Sequence, residues 1–271
     1  MDEQPNGAAL ASPSLKKFYE ARKSREVSSL QSEEWLNANR HFIKSAFQHS
    51  YMYEFDWLGR PIIQLPADMA LVQHLVWQAK PTLIIETGVA HGGSLIASAS
   101  LMAMLDYCDW RESGDLRRIT ESSRRVIGVD IDIREHNRAL IDKHPMSSKI
   151  TLIEGDSTSD QVIAQVRGLI NTEDRTMVLL DSNHAKQHVS NELENYSRLV
   201  SHGSYIVVFD TVVEDFPIGH FEDRPWGRSN GPLSAVDDFL AGNPSFFREP
   251  RGNKLAMNGA ARFGVLKRGA P

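Results

Sequence analysis

The chain has 271 residues, 41% of them hydrophobic and 24% charged, enough for one substantial core in a soluble globular protein. A formal net charge of −5 argues against a broad nucleic-acid-binding face or a strongly basic membrane surface. The single cysteine, Cys108, excludes an intrachain disulfide framework and any cysteine-rich zinc or iron centre, which makes a reducing cytoplasm the expected compartment.

The opening run MDEQPNGAALASPS carries acids and prolines but no basic segment leading into an apolar stretch, so it does not read as a signal peptide. It reads as disordered. No later stretch reaches the roughly 18 apolar residues of a membrane span. From Ser14 to about His49 the composition is helical, with polar and apolar residues mixed. This N-terminal extension, residues 1–49, is either a cap over a site or one or two packing helices. It either contributes to a homo-oligomer or folds back on its own subunit. Residues 50–271 are expected to form the main domain. There YEFDWLGRPIIQLPADM reads as a loop or short strand, followed by a helix from about Asp68 to Gln78.

A regular alternation follows. TLIIET (82–87) is a strand, then the glycine-rich GVAHGGS leads into the apolar helix LIASASLMAMLDY. RRVIGVD (124–130), KITLIEGD (149–156), TMVLLD (176–181) and SYIVVFD (204–210) are further strands, with helical patterns between them. Val189, Leu193, Tyr196 and Val200 recur on one helical face. PLSAVDDFLAG resumes as a helix, and ARFGVLKRG reads as a terminal strand entering the sheet. Apolar strands alternating with helices predict an α/β fold with a mostly parallel sheet covered on both faces. In such folds ligands bind beyond the carboxyl ends of the strands, near a switch in strand order.

Glu86, Asp130, Asp156, Asp181 and Asp210 all fall at or just beyond those ends. One such acid is readily a helix cap; five on one edge point to a cleft. The ETGVAHGGS turn has neither the GxGxxG spacing of a dinucleotide fingerprint nor GxxxxGK[ST] of a P-loop. Its Gly88 suits a tight turn and Gly92 and Gly93 a helix start close to a ligand. Glu86 repels a pyrophosphate and suits a cationic amino-acid or sulfonium group. Asp130 either accepts both hydroxyls of a ribose or caps the next helix, with Asp132 as a local cap. Asp156 and Ser157 suit the rim of an adenine pocket. Together these read as an S-adenosylmethionine site, with a nicotinamide site as the alternative.

Asp181 and Asp210 end consecutive strands, and neighbouring strands would bring the two carboxylates to one cation. Hard oxygen ligands favour magnesium or calcium. His184, three residues past Asp181, is then either the base that removes a hydroxyl proton or an ordinary helix-start residue. His188 reads as a supporting or surface residue, and His91 either faces cofactor or substrate or has no direct role. In the long connection after Asp210, Phe216, His220 and Trp226 would wall a substrate ring, with Arg224 or Arg228 meeting a polar group, or all would simply pack the loop.

The stretches IIETGVAHGGSLI, VIGVDIDIREHNRALIDKHPMSSKITLIEGDS, LLDSNH and VVFDT resemble the cephalosporin hydroxylase/CmcI-like family, over roughly residues 50 to 267. The resemblance implies a Rossmann-like class I methyltransferase fold and magnesium-dependent transfer of a methyl group from S-adenosylmethionine to a hydroxyl of a sugar, a glycosylated metabolite or a phenol. Carried onto this chain, it implies a cofactor site lined by Glu86, Thr87, Gly88, Ser94, Asp130, Asp156, Ser157 and Asp181. It makes His184 the base and Asp181 and Asp210 metal ligands, with Thr211 a candidate third ligand. The family usually presents an adjacent Glu-Asp pair at the fifth strand end, where this chain reads Phe209-Asp210-Thr211. Three outcomes are open: Thr211 or a water completes the shell, Glu214 or Asp215 reaches in, or metal dependence is weakened. The expected partner is a small-molecule or saccharide acceptor, with no nucleic acid. A nicotinamide-dependent oxidoreductase and a non-catalytic cofactor-binding or assembly protein are the rival classes.

Overall fold

A computed structural model describes residues 12–221 and 223–270; of the run 1–14 expected to be disordered, residues 1–11 lie outside the described residues, while Pro13 and Ser14 already belong to the first helix. Two helices come first, α1 (Pro13–Gln31) and α2 (Glu33–Gln48). They part at Ser32, whose hydroxyl accepts the Trp35 N–H at 3.3 Å, and Glu33 and Glu34 follow in the first turn of α2. A short antiparallel hairpin, β1 (Phe55–Trp57) and β2 (Arg60–Ile62), fills the stretch read as a loop or short strand. Helix α3 (Pro66–Ala79) then begins with proline in its first turn.

The alternation expected from sequence follows: β3 (Leu83–Thr87), α4 (Gly93–Ser113), α5 (Arg117–Thr120), β4 (Arg125–Asp130), α6 (Glu135–Asp142), β5 (Ile150–Glu154), α7 (Asp160–Gly168), β6 (Thr176–Leu180), α8 (Lys186–Tyr196) and β7 (Tyr205–Val208). The chain closes with α9 (Pro232–Gly242), β8 (Phe246–Arg248), α10 (Pro250–Leu255) and β9 (Val265–Arg268). The sheet order is β5-β4-β3-β6-β7-β9-β8. The first five of these strands are parallel; β9 runs antiparallel to both β7 and β8. Sequence reading missed β8, a three-residue edge strand too short to show an alternation.

Period-two alternation sorts the strand side chains into two cores. Ile84, Val126, Met177 and Val207 face the layer of α3 and α4. Leu83, Ile85, Ile127, Val178, Leu180 and Ile206 face α7, α8 and α9. A third, smaller cluster joins Ile43 and Ala46 of α2 to Leu65, Val212 and Phe216. The N-terminal extension thus folds back on its own domain, against the segment that follows Asp210. Among the described residues no helix is long and apolar enough to cross a membrane.

The chain moves from β3 outward to β4 and β5, then returns to the other side of β3 with β6. That reversal opens a crevice between the carboxyl ends of β3 and β6, the usual ligand position in a doubly wound sheet. The register places Thr87 opposite Leu180, so Gly88 and Asp181 leave the sheet side by side.

Candidate active site at the switch point

The glycine-rich turn is pinned by backbone and side chains from three directions. Gly88 N–H donates to Val129 O at 2.8 Å, and Asp181 N–H donates to Thr87 O at 2.9 Å. Gly88 sits at φ +92, and a Cβ there would overlap the backbone carbonyl of Asp181. Only glycine permits both that conformation and that approach. Asp130 accepts the amides of Val89 at 2.7 Å and Ala90 at 3.2 Å through Oδ2, and that of Asp132 at 3.2 Å through Oδ1. From outside, buried Arg60 donates to His91 O, and to Asn137 Oδ1 at 3.1 Å, while Asn137 donates to Ala90 O at 2.9 Å. Neither Arg60 nor Asn137 was singled out from sequence, because a brace on backbone carbonyls leaves no local motif.

Glu86 lies beneath this turn, 2% exposed, and accepts the Ser94 hydroxyl and, at 3.5 Å, that of Ser98. Burial pushes its carboxyl up to about 7, against the opposing pull of the two serines. Ser94 is therefore committed to Glu86, and the buried Thr87 hydroxyl has no hydrogen-bond partner. Asp156 is exposed and accepts the Thr158 amide at 2.8 Å and hydroxyl at 2.7 Å, which hold its carboxyl below the ordinary value. Ser157 is buried and donates to Glu192 Oε1 at 2.6 Å.

Across the crevice, Asp181, His184 and Asp210 place one donor atom each within 4.8 Å of one another. His184 Nε2 lies 3.1 Å from Asp210 Oδ2. Burial, then the charges of Asp210, Glu86, Asp68 and Glu192, push the Asp181 carboxyl well above its ordinary range. Asp68, fully buried on α3, accepts the amides of Ala260 at 2.8 Å and Ala261 at 3.2 Å. Burial outweighs those amides and raises it to about 7, with Asp210 adding to the rise. Carboxyl groups this close repel one another, and a bound cation would relieve that repulsion.

Asp210 itself adopts a left-handed backbone, φ 52 and ψ 20, which turns its side chain out of the sheet edge. Aspartate tolerates this region better than most residues, at a cost of about 1 kcal/mol. Phe209, one residue earlier, is 2% exposed and belongs to the core beneath α3. Alternation places its side chain on the same sheet face as Val207, so the aromatic ring fills core where the family's usual acid would stand.

The candidates offered to replace that acid are all engaged elsewhere. The Thr211 hydroxyl, proposed above as a metal ligand, is buried and shares its single proton between the carbonyls of Arg262 at 2.6 Å and Ala260 at 3.0 Å. In this arrangement the hydroxyl ties the 260–262 segment to the turn below Asp210. Glu214 accepts from Ser229 N at 2.7 Å and Ser234 Oγ at 2.6 Å. Asp215 pairs with Arg262 and with Arg40 of α2 at 3.4 Å. The third member of the donor group is His184. Of the aromatic wall, only Trp226 stands beside it, edge to face at 4.9 Å, with the Arg224 guanidinium 5.2 Å from the Trp226 ring centroid. Phe216 is instead packed against Phe47 of α2 and stacked on His220.

A family model described as Rhamnosyl O-methyltransferase/CmcI matches residues 49–269. The chain belongs to this family. A rhamnosyl O-methyltransferase of Mycobacterium tuberculosis (strain H37Rv) is 26% identical over 197 residues, 72% of this chain and 70% of that protein. For the Mycobacterium leprae protein of the same name the identity is 26% over 163 residues, 60% of this chain and 62% of that protein, so the chain spans less than two thirds of its length. An apo structure of CmcI overlays with a TM-score of 0.54 at 19% identity, covering 81% of this chain and 78% of that one. A CmcI structure with Mg and SAM gives 0.52 at 18% identity, covering 80% and 78%. The fold is the Rossmann-like class I methyltransferase fold. Helices α1 and α2 both lie before the region matched by the Rhamnosyl O-methyltransferase/CmcI family model.

Proposed function

We propose that this protein is an S-adenosylmethionine-dependent O-methyltransferase, assisted by magnesium, whose acceptor is a hydroxyl of a rhamnosyl or related sugar. The observation that carries the reading is the convergence of Asp181, His184 and Asp210 beside the Gly88 turn at the switch point. The names of the relatives support the acceptor class.

The donor set fits a divalent cation. Two carboxylates with an imidazole alongside offer hard oxygen donors and one nitrogen in a single group. Asp181 and Asp210 would hold magnesium, and Glu86, Gly88, Asp130, Asp156 and Ser157 would line the S-adenosylmethionine pocket. When bound, the metal supplies Lewis acidity that eases loss of the acceptor's hydroxyl proton, and the cofactor supplies an electrophilic methyl group. The chain's own residues do the rest. His184 takes the hydroxyl proton; Asp210, 3.1 Å from its Nε2, orients the ring. Trp226 walls the acceptor side of His184 and offers an apolar face to a sugar ring. The Gly88 turn, held by Asp130 and Arg60, keeps the two halves in register, and alignment of the reacting groups contributes much of the rate.

His184 stands both in the donor group and in the position of the base, and these roles make different demands. A base is lost in His184→Gln with metal affinity nearly unchanged; a ligand is lost with a metal affinity that falls at least tenfold. The test of the reading itself is methyl transfer from labelled S-adenosylmethionine to rhamnosyl glycosides, with and without a chelator. Metal-dependent labelling is expected. Tight binding of an adenine dinucleotide with no methyl transfer to any hydroxylated acceptor would overturn it.

A further inference from the structure

Behind the cleft, the structure holds a buried polar network that joins its two halves. Glu192 lies on the apolar face of α8, between Val189 and Tyr196, and is 1% exposed. Its Oε1 accepts the hydroxyl of Ser157 at 2.6 Å and that of Ser182 at 2.7 Å. Ser157 belongs to the turn after β5, where the adenine corner is placed. Ser182 follows Asp181 directly, in the turn that carries the metal-binding carboxylate and His184. The turns are 25 residues apart in sequence and meet on one carboxylate oxygen.

Hydrogen accounting fixes the rest of the network. Each serine has one hydroxyl proton, and both protons point at Glu192. His188 Nε2 lies 3.1 Å from both serine oxygens, so it must be the donor to them and carry a proton. Glu192 raises the pKa of His188, first through their hydrogen bond and then through its charge, against the effect of burial. Tyr196 adds a fourth tie, donating to Ser157 O at 2.9 Å. A buried carboxylate on an otherwise apolar helix face is costly unless its partners compensate, and a network of this kind fixes the groups that it joins.

We propose that Glu192 is a positioning residue that locks the adenine-side turn at Ser157 to the catalytic turn at Ser182, so that each corner is set by the other. The placement of the two ligands rests on the function proposed above. The network itself does not.

The test uses the full chain and two small substitutions, Ser157→Ala and Ser182→Ala, with their double variant. S-adenosylhomocysteine is titrated by calorimetry in chelator, and amide hydrogen exchange is followed without ligand. Ser182→Ala is expected to weaken S-adenosylhomocysteine by about tenfold, just under the low end of what one hydrogen bond to a charged group is worth, although it sits in the metal corner. The double variant is expected to lose little more than either single one, because each breaks the same lock. Ser182→Ala is also expected to speed exchange in the 155–159 turn. Unchanged 155–159 exchange in Ser182→Ala would overturn the proposal, whatever the ligand does, and so would multiplicative losses of affinity. A wild-type chain that does not bind S-adenosylhomocysteine would overturn the proposed function alone and leave the exchange result to decide the network.

Discussion

Replacing Glu86 with glutamine should stabilise the ligand-free protein at alkaline pH while weakening its hold on S-adenosylmethionine. The carboxyl is 2% exposed, and burial raises it from an ordinary 4.5 to about 7. Below pH 4.5 it is protonated in folded and unfolded chains alike and contributes no pH dependence. Between 4.5 and 7 the folded chain holds a proton that the unfolded chain has released, so stability falls as pH rises. Above 7 the whole cost of the buried charge is present, about 3 kcal/mol. Glutamine keeps the size and an acceptor for Ser94 but has no charge to bury. By differential scanning calorimetry the variant should therefore melt higher at pH 8, by roughly 2–4 °C for each kcal/mol recovered in a domain of this size. At pH 5 the gap should narrow sharply. Affinity for S-adenosylmethionine should fall at least about tenfold, the equivalent of 1.4 kcal/mol, as the cation loses its carboxylate. A variant no more stable than the wild type at pH 8, or equally shifted at both pH values, would refute the reasoning.

Phe209→Glu, which restores the family's usual acid, should not improve metal affinity, because the side chain enters the core beneath α3. It should cost about 3 kcal/mol or more, read as a lower denaturant midpoint. Gly88→Ala forces a Cβ onto the Asp181 carbonyl; titration calorimetry should show weakened cofactor binding together with a lowered Tm. Thr211→Val removes the one hydroxyl proton shared between the carbonyls of Ala260 and Arg262. It should destabilise the protein by about 1–3 kcal/mol in urea unfolding, with metal affinity changed less than in Asp181→Asn. A larger metal effect in Thr211→Val would return Thr211 to the ligand set.

The parallel core was legible because fully buried strands are continuous apolar runs, so β3, β4, β5, β6 and β7 were bounded to within a residue or two of their observed ends. Their terminal acids marked the cleft edge for the same reason: a charge at the end of such a run must reach solvent, a partner or a ligand. What escaped was held by long-range contacts with no local pattern. Arg60 and Asn137 grip backbone carbonyls on a turn far along the chain. Asp68 marked only the approximate start of a helix in the sequence, and its partners lie 192 and 193 residues away. Glu192 did leave a trace, an acid three residues after Val189 and four before Tyr196 on an apolar face, and a buried acid there was a signal available to read. Thr211 was put forward from its adjacency to Asp210 in sequence, which says nothing about the direction of its hydroxyl after a left-handed residue turns the chain.

The central claim is that Asp181 and Asp210 close on one cation at the edge of an S-adenosylmethionine pocket. Anomalous diffraction from crystals grown with manganese and S-adenosylhomocysteine tests it directly. The account predicts a single strong peak within coordinating distance of both carboxylates, beside density for the nucleoside at Asp130 and Ser157. A nucleoside bound there with no peak between the two aspartates, or a peak elsewhere on the protein, would contradict it.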